Sequence, residues 1–130
     1  MSGNFTEILI DTDVLLQHVT CDKDEDSDLE FLLSKFNCFT TAINASEIFY
    51  HCVSDNEKEI AQKLLNSMKV LGYNSRYSLK MFGKKNNTSG MRDAMIAVVA
   101  EVSKLPFVSY RKQIYKNWKF GVFTPSELRG

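Results

Sequence analysis

Short apolar runs alternate with longer segments of helical periodicity along almost the whole chain, and this alternation constrains the fold more than any other feature. Five runs have the length and the apolar content of strands: 7–10, 38–43, 70–73, 106–110 and 120–123. Residues spaced three and four positions apart predict helices over 14–19, 29–36, 45–53, 56–68, 75–82 and 92–105, the last with Ser89 as a candidate cap. Strands that alternate with helices pack as a parallel sheet covered on both faces. We therefore predict an α/β fold with three α/β/α layers and a mostly parallel central sheet.

The length and composition fit one globular domain and exclude several classes of protein. The chain has 130 residues, of which 44% are hydrophobic and 25% charged, so we predict a single domain over residues 1–130. No apolar run approaches the roughly 20 residues that span a bilayer. The amino terminus lacks the cationic and apolar stretches of a secretory signal, and the three cysteines have unremarkable spacings. We expect a cytoplasmic protein with reduced thiols and no membrane contact.

The net charge is zero, but the charges are unevenly distributed along the chain. Residues 1–60 carry 13 Asp and Glu against three Lys and Arg, whereas residues 61–130 carry three against 13. Such a split indicates contact of one face with a polyanion and of another with cations. Two solvated surfaces explain the split equally well at this point.

Three acidic residues follow or open the predicted elements where a parallel sheet forms its binding crevice. Asp11 closes the first strand, Glu47 lies in the first turn of the helix after the second strand, and Asp93 opens the long helix. Acids brought into one crevice repel each other unless a cation binds between them, and hard oxygen ligands favour Mg²⁺ or Mn²⁺. Such a cation supports phosphodiester hydrolysis, because it polarises a phosphoryl oxygen and lowers the pKa of its bound water.

Each acid also has a purely structural explanation. Asp11 or Asp13 can cap the helix that follows the first strand. Asn44 and Glu47 stand three positions apart and can form a capping arrangement. Asp93 in a first helical turn complements the helix dipole. Singly the acids are weak indications of a site, and their joint placement is a much stronger one.

Three segments together resemble the PIN-domain ribonucleases, over about residues 7–125. "ILIDTDVLL" is similar to the family's opening strand, its Asp-Thr pair followed by Asp, Asn or Ser, and its aliphatic pair. "TTAINASEIFY" is similar to the family's second strand and glutamate-plus-aromatic segment. "RDAMIAVVAEVSKLPFVS" is similar to its Asp-Ala-x-Ile-Ala helix and late strand ending in Thr or Ser. The order and spacing of all three segments match the family.

This resemblance implies a PIN-like fold and Mg²⁺- or Mn²⁺-dependent cleavage of RNA. It implies that Asp11, Glu47 and Asp93 are the catalytic metal ligands. Size and architecture resemble the VapC-type toxins of prokaryotic toxin–antitoxin pairs, which implies a cognate antitoxin protein as partner and a homodimer.

One position departs from the family pattern. The family usually has a further Asp, or an Asn followed by an Asp, just after the late strand, but no Asp or Glu occurs between Glu101 and Glu127. The matching positions hold Arg111 and Ile114. Asp13 is a candidate for an additional metal ligand that partly compensates. A catalytically weak PIN domain that binds RNA or a protein partner without cleavage is therefore the alternative function.

"ILIDTDVLL" also fits the first motif of haloacid-dehalogenase-type phosphatases, with Asp11 as nucleophile and Asp13 as general acid. That family needs a late acidic pair, and no Asp-Asp or Gly-Asp-x-x-x-Asp follows in this chain. The phosphatase interpretation is accordingly disfavoured.

Basic residues surround the proposed site in sequence, two of them in the predicted polar loop 84–90. The candidates for RNA binding are Lys84, Lys85, Arg92, Arg111 and Lys112, with Tyr110, Tyr115 and Trp118 interleaved or nearby. Lysine and arginine neutralise phosphates, and exposed aromatic rings stack on unpaired bases. A solvated basic edge with the aromatic residues in the core is the alternative.

Overall fold

The central sheet has five strands among the residues that the structure describes. A computed structural model describes residues 5–21, 26–86, 88–115 and 118–130. The strands are β1 (Glu7–Ile10), β2 (Asn37–Thr41), β3 (Lys69–Leu71), β4 (Phe107–Val108) and β5 (Val122–Phe123). They form one sheet in the order β3-β2-β1-β4-β5, and every neighbouring pair is parallel. The predicted α/β fold with a parallel central sheet is confirmed.

Most of the helices described lie between consecutive strands, and the last one follows the final strand. They are α1 (Thr12–Thr20), α2 (Asp28–Lys35), α3 (Ala42–His51), α4 (Asp55–Asn66), α5 (Met91–Ser103) and α6 (Pro125–Arg129). Shorter 3₁₀ segments cover Ser75–Met81, Lys84–Asn86 and Lys112–Ile114. The predicted helix over 75–82 is therefore a 3₁₀ segment, and residue 87 of the predicted loop 84–90 lies outside the described residues. None of the helices described is long and apolar enough to cross a membrane.

Two helix starts differ from the sequence-based prediction for local reasons. α3 begins at Ala42 because Thr41 and Asn44 form a capping box, in which each side chain accepts from the other's backbone N–H. Ser89 is not the cap of α5, because Gly90 occupies the cap position and the Ser89 hydroxyl donates to the Asp93 carboxylate instead. Both differences place polar side chains near the ends of the strands.

The core lies on both faces of the sheet. Along β1, Ile8 and Ile10 pack into a cluster with residues of α1, α2 and α4, whereas Leu9 packs on the opposite side with residues of α5. All three side chains are fully buried. A central parallel strand covered by helices on both faces has this continuous apolar sequence, and the predicted three layers are confirmed.

The carboxyl ends of β1 and β4 lie side by side, and we call the space beyond them the crevice. The chain runs from β1 to β2 on one side, and after β3 it crosses to β4 on the other side of β1. The two strand ends are in register, since Ile10 pairs with Val108 and the Asp11 N–H donates to the Val108 carbonyl at 2.9 Å. In open α/β sheets, such a point of reversed strand order is where ligands bind.

Candidate active site

Asp11 lies at the centre of the crevice. It is fully buried, and it is the amino-terminal cap of α1, since its Oδ1 accepts from the Thr12 N–H at 2.7 Å. Its Oδ2 accepts from the Ser109 hydroxyl at 2.8 Å, just beyond the end of β4. The capping explanation is thus correct for Asp11, and the same carboxylate also faces the crevice. Asp13 does not cap α1, because it lies in the first turn of the helix.

Glu47 reaches the crevice from α3. Its Oε1 accepts from the Thr12 hydroxyl at 2.5 Å. The predicted Asn44–Glu47 capping arrangement is wrong, because Asn44 caps together with Thr41 and its Nδ2 donates to Thr12 Oγ1 at 2.8 Å. Glu47 therefore contributes a side chain to the crevice and not to its own helix start.

Asp93 reaches the crevice from the first turn of α5 and is only 7% exposed. It accepts from the Ser89 hydroxyl and, at 3.2 Å, from the Tyr115 hydroxyl. The structure thus brings the three acids singled out by the sequence to one crevice, although they come from positions far apart in the chain.

The guanidinium of Arg92 lies among these three carboxylates. Its Nη2 is 3.0 Å from Asp11 Oδ1 and 2.6 Å from Glu47 Oε1, and its Nη1 is 2.6 Å from Asp93 Oδ1. Its Nε donates to Glu47 Oε2 at 2.9 Å, which makes the contact with Glu47 bidentate. The sequence makes Arg92 a candidate for RNA binding, and in the structure its guanidinium pairs with the acids.

A second guanidinium, that of Arg111, lies on the other side of Asp11. Arg111 Nη2 is 3.4 Å from Asp11 Oδ2, and its Nε is 3.7 Å from Asp13 Oδ2. It also donates to the Tyr115 hydroxyl at 2.5 Å. Asp13 Oδ2 accepts from the Tyr110 N–H, while its Oδ1 is buried and has no hydrogen-bond partner among the described residues.

Burial and pairing do not shift the pKa values of all the acids in the same direction. Burial opposes ionisation of Glu47, but hydrogen bonds from Arg92 and Thr12 outweigh it and lower the Glu47 pKa. The pKa of Asp93 is also lowered against burial, by hydrogen bonds from Ser89 and Arg92. The pKa of Asp13 is raised, first by burial and then by the charge of Asp11. Glu47 and Asp93 are thus held ionised more firmly than Asp13.

Two other groups in the crevice keep their protons. Burial and the nearby charges of Asp11 and Asp93 raise the pKa of the Tyr115 hydroxyl. Burial works against the charge of Arg92, but hydrogen bonds to Glu47 and Asp93 raise its pKa above an already high value. At neutral pH, Tyr115 is a neutral hydrogen-bond donor and Arg92 a fixed positive charge.

The lysines proposed to bind RNA differ in exposure and in ion pairing. Lys84 is mostly buried and pairs with Glu101 at 2.6 Å, and Lys112 pairs with Glu127 at 2.8 Å on the surface. Lys85 is exposed and lines a cavity of about 470 Å³ with Ser89, whose hydroxyl contacts Asp93.

The interleaved aromatic residues lie mostly inside the molecule. Tyr115 is 1% exposed and packs against Phe107 and Trp118 in the core. Tyr110 is partly exposed, and its hydroxyl donates to Asp28. For Tyr115, the explanation as a core residue is therefore the correct one.

In this conformation the crevice does not fit a divalent cation. Carboxylates are the donors that Mg²⁺ and Mn²⁺ prefer, but the oxygens of Asp11, Glu47 and Asp93 already accept from Arg92. Among the described residues, no group of three or more His, Cys, Asp or Glu is arranged to hold a metal ion. The donor types agree with the sequence-based expectation, and their arrangement does not.

Four polar residues of the crevice were not identified as candidate site residues from the sequence: Thr12, Asn44, Ser109 and, as a hydrogen-bond donor, Tyr115. Thr12 stands between the two aspartates, and Asn44 precedes Glu47 by three positions. Their proximity to acidic residues was the available signal. Ser109 follows the late strand directly, at its carboxyl end. Tyr115 gave no such signal, because its hydroxyl reaches the acids only through the packing of its ring.

A family model and several solved structures resemble this chain. The model that matches is that of the PIN domain, over residues 8–117. The search of curated proteins finds no match.

The similar solved structures have low sequence identity and nearly full coverage. A toxin–antitoxin complex from Klebsiella pneumoniae has a chain 13% identical with a TM-score of 0.74, covering 91% of this chain and 97% of that one. DNA-bound VapBC from Salmonella typhimurium has a chain 13% identical with a TM-score of 0.74, and the match covers 93% of this chain and 99% of that one. VapBC2 from Rickettsia felis, bound to a promoter DNA fragment, has a chain 14% identical with a TM-score of 0.71, and the match covers 91% of this chain and 97% of that one. At this identity the similarity shows a common fold.

Proposed function

This chain belongs to the PIN domain family, and from that premise we propose that it is a toxin-like endoribonuclease that depends on Mg²⁺ or Mn²⁺. The substrate class is RNA, and the reaction is hydrolysis of a phosphodiester. The catalytic residues in this proposal are Asp11, Glu47 and Asp93, with Asp13 as an additional acid. The fold shared with chains of toxin–antitoxin complexes supports the toxin-like part of the proposal.

The observation that carries the proposal is the convergence of three acids on one guanidinium. Asp11 follows β1, Glu47 lies on α3, and Asp93 lies on α5, yet all three have an oxygen within 3.0 Å of Arg92. Burying acids at the end of a sheet costs free energy without improving the apolar core. Such a cluster is expected where a function requires concentrated negative charge.

The chain's own residues supply further groups that suit a phosphodiester substrate. The side chain of Arg111 is 47% exposed at the crevice, so it can donate to a phosphate oxygen at little conformational cost. The exposed Lys85 lines the cavity that contains Ser89, whose hydroxyl contacts Asp93. Both basic groups can neutralise phosphates of an RNA backbone that binds at the crevice.

A second candidate function, an RNA-binding or protein-binding PIN domain without cleavage, has its own supporting observation. Arg111 stands where the family usually has Asp or Asn, and its guanidinium contacts both Asp11 and Asp13. A positive charge at that position weakens the attraction of the acids for a second cation.

A cleavage assay on structured RNA separates the two functions. Purified protein is incubated with RNA and Mg²⁺, Mn²⁺ or a chelator, and the products are resolved by size. We expect cleavage that the chelator abolishes and that Asp93→Asn abolishes. Asp55→Asn is the matched control, because Asp55 also lies in the first turn of a helix but is far from the crevice in the exposed part of α4. RNA binding without cleavage under all metal conditions favours the second function.

We propose that residues 1–130 act as one PIN-like domain in the cytoplasm, that the protein is a homodimer, and that a cognate antitoxin protein inhibits it. Light scattering of the purified protein tests the dimer by its mass. Co-purification with the product of an adjacent small reading frame tests the antitoxin.

A further inference from the structure

The fork of Arg92 fills the space between the acids of the proposed site. Each of its three nitrogen atoms donates to at least one carboxylate: Nε and Nη2 to Glu47, Nη1 to Asp93, and Nη2 also to Asp11. Nη2 in addition donates to Thr12 Oγ1, and Nη1 to the Tyr115 hydroxyl. One side chain of the same chain thus satisfies the acids that a cation would otherwise neutralise.

We propose that Arg92 is the resident cation of this site and that a divalent metal ion competes with it for the same three carboxylates. The protein with Arg92 in place is then a latent form, and metal binding requires the guanidinium to leave. This inference rests on the proposed function only in taking the carboxylate crevice as the cation site.

Geometry and charge make the two cations mutually exclusive. The carboxylate oxygens that face the centre of the crevice accept from the guanidinium at 2.6 to 3.0 Å, so an ion cannot approach them while Arg92 remains. A unit positive charge about 4 Å from a divalent ion weakens its binding roughly thirtyfold even at the dielectric constant of bulk water. Simultaneous occupancy is therefore strongly disfavoured.

Arg92 can leave without disturbing the acids. Its side chain is 29% exposed, so it reaches solvent by rotation about its own bonds, whereas the Asp11 side chain is fully buried. The backbone of α5 stays fixed during this rotation, because the helix packs through a continuous set of buried residues from Ile96 to Ala100. A displaced Arg92 remains at the rim of the crevice, where a phosphate group can accept its hydrogen bonds.

The competition can be observed in the unmodified protein by nuclear magnetic resonance of arginine side chains. With no metal present, the Arg92 Nε–H signal is expected to be shifted and slow to exchange with water, because it donates to Glu47. Addition of Mg²⁺ alone should move this signal to the position of a solvated arginine, with a midpoint equal to that of Mg²⁺ binding. Binding of Mg²⁺ with the Arg92 signal unchanged overturns the proposal.

Substitutions of Arg92 test the same competition by removing or changing the guanidinium and measuring the affinity for Mn²⁺. Mn²⁺ binding, measured by electron paramagnetic resonance of the free ion, should tighten roughly thirtyfold in Arg92→Gln. Arg92→Lys, which keeps a charge but cannot contact three carboxylates at once, should tighten it less and guards against a folding defect in the glutamine variant. Arg129→Gln is the matched control, because it removes an arginine paired with Asp28 outside the crevice. Equal Mn²⁺ affinity in all four proteins overturns the proposal.

The outcomes keep this inference separate from the proposed function. Tighter Mn²⁺ binding by Arg92→Gln, together with no RNA cleavage by the wild-type protein at saturating Mn²⁺, contradicts the nuclease and supports the competition. RNA cleavage by the wild-type protein with an Arg92 signal that does not respond to Mg²⁺ supports the nuclease and contradicts the competition.

Discussion

On one side of Asp11, Arg92 lies within 3.0 Å of three carboxylates; on the other, Arg111 lies 3.4 Å from Asp11 and 3.7 Å from Asp13. We call the first group the Arg92 side (Asp11 Oδ1, Glu47 and Asp93) and the second the Arg111 side (Asp11 Oδ2, Asp13 and Ser109). The side chain of Arg92 is 29% exposed and that of Arg111 is 47% exposed. The same type of ion pair is therefore shorter and less solvated on the first side.

The difference follows from the elements that carry the two arginines. Arg92 lies in the first turn of α5, whose backbone is fixed by helical hydrogen bonds and by its buried face. Arg111 lies between β4 and a 3₁₀ segment, and much of its side chain is in water. A guanidinium on a fixed helix loses less conformational freedom when it pairs, so its contacts stabilise the fold more. The three acids that resemble the family's ligands all reach the Arg92 side.

The largest expected effect is on the rate of RNA cleavage, and it differs between the Arg92 side and the Arg111 side. Asp11→Asn should reduce RNA cleavage to background, because Asp11 is shared by both sides and fully buried. Asp13→Asn should reduce it only about tenfold, as expected of a supporting group. The measurement is the initial rate of cleavage at saturating Mn²⁺. Equal losses in the two variants would show that the Arg111 side is as important as the Arg92 side.

The second effect is on stability without metal. Arg92→Gln leaves three ionised acids without their main partner and should lower the free energy of unfolding by about 3 kcal/mol, the low end for a buried pair. Arg111→Gln removes a more solvated arginine and should lower it by less than about 1 kcal/mol. Urea unfolding in the presence of a chelator measures both. A similar loss of unfolding free energy in the two variants would show that the contacts of Arg92 stabilise the fold no more than those of Arg111.

The fold and the proximity of Asp11, Glu47 and Asp93 could be predicted from the sequence, because both depend on local patterns. The run "EILI" and the acid that follows it fix a buried strand and its carboxyl end. The position of Arg92 could not be predicted, because it depends on where α5 starts relative to β1 and α3. The same applies to Lys84, which pairs with a residue one helix away.

The contacts also change one expectation drawn from the acids alone. From the sequence, replacing one acid by its amide is expected to relieve repulsion and can stabilise the metal-free protein. In the structure, Asp11 faces guanidinium groups on both sides. Its replacement is therefore expected to cost stability, because it removes pairing and not only repulsion.

The third effect is the pH dependence of stability, which should have opposite signs on the two sides. Glu47 and Asp93 have pKa values below their usual range, so their contribution is fully present above about pH 4.5 and is lost as the pH falls through the folded-state values. Asp13 has a raised pKa, so its ionisation costs stability at neutral pH, and this cost is relieved as the pH falls through its folded-state value.

Unfolding of the metal-free protein between pH 2 and pH 7 measures these contributions. Arg92→Gln should flatten the loss of stability below about pH 4.5, because the unfolded and folded pKa values of Glu47 and Asp93 become more alike. Asp13→Asn should raise stability at pH 7 and leave the loss at low pH in place. If stability falls less steeply at low pH in Asp13→Asn than in Arg92→Gln, the lowered pKa values do not belong to the acids of the Arg92 side.

The smallest effect concerns which side of Asp11 contacts the RNA backbone. Lys85 is exposed beside the Arg92 side, whereas Lys112, near the Arg111 side, already pairs with Glu127 at 2.8 Å. Each lysine that neutralises a phosphate of single-stranded RNA contributes about 0.7 to the slope of log affinity against log salt. We expect Lys85→Gln to lower this slope by about 0.7 and Lys112→Gln to lower it by less, because breaking its pair with Glu127 offsets part of the gain from a phosphate. Lys69→Gln is the control, since Lys69 is exposed at the opposite, amino-terminal end of β3. A larger change in Lys112→Gln than in Lys85→Gln would place the RNA on the Arg111 side, where Arg111 and not Arg92 would be the first guanidinium that a phosphate meets.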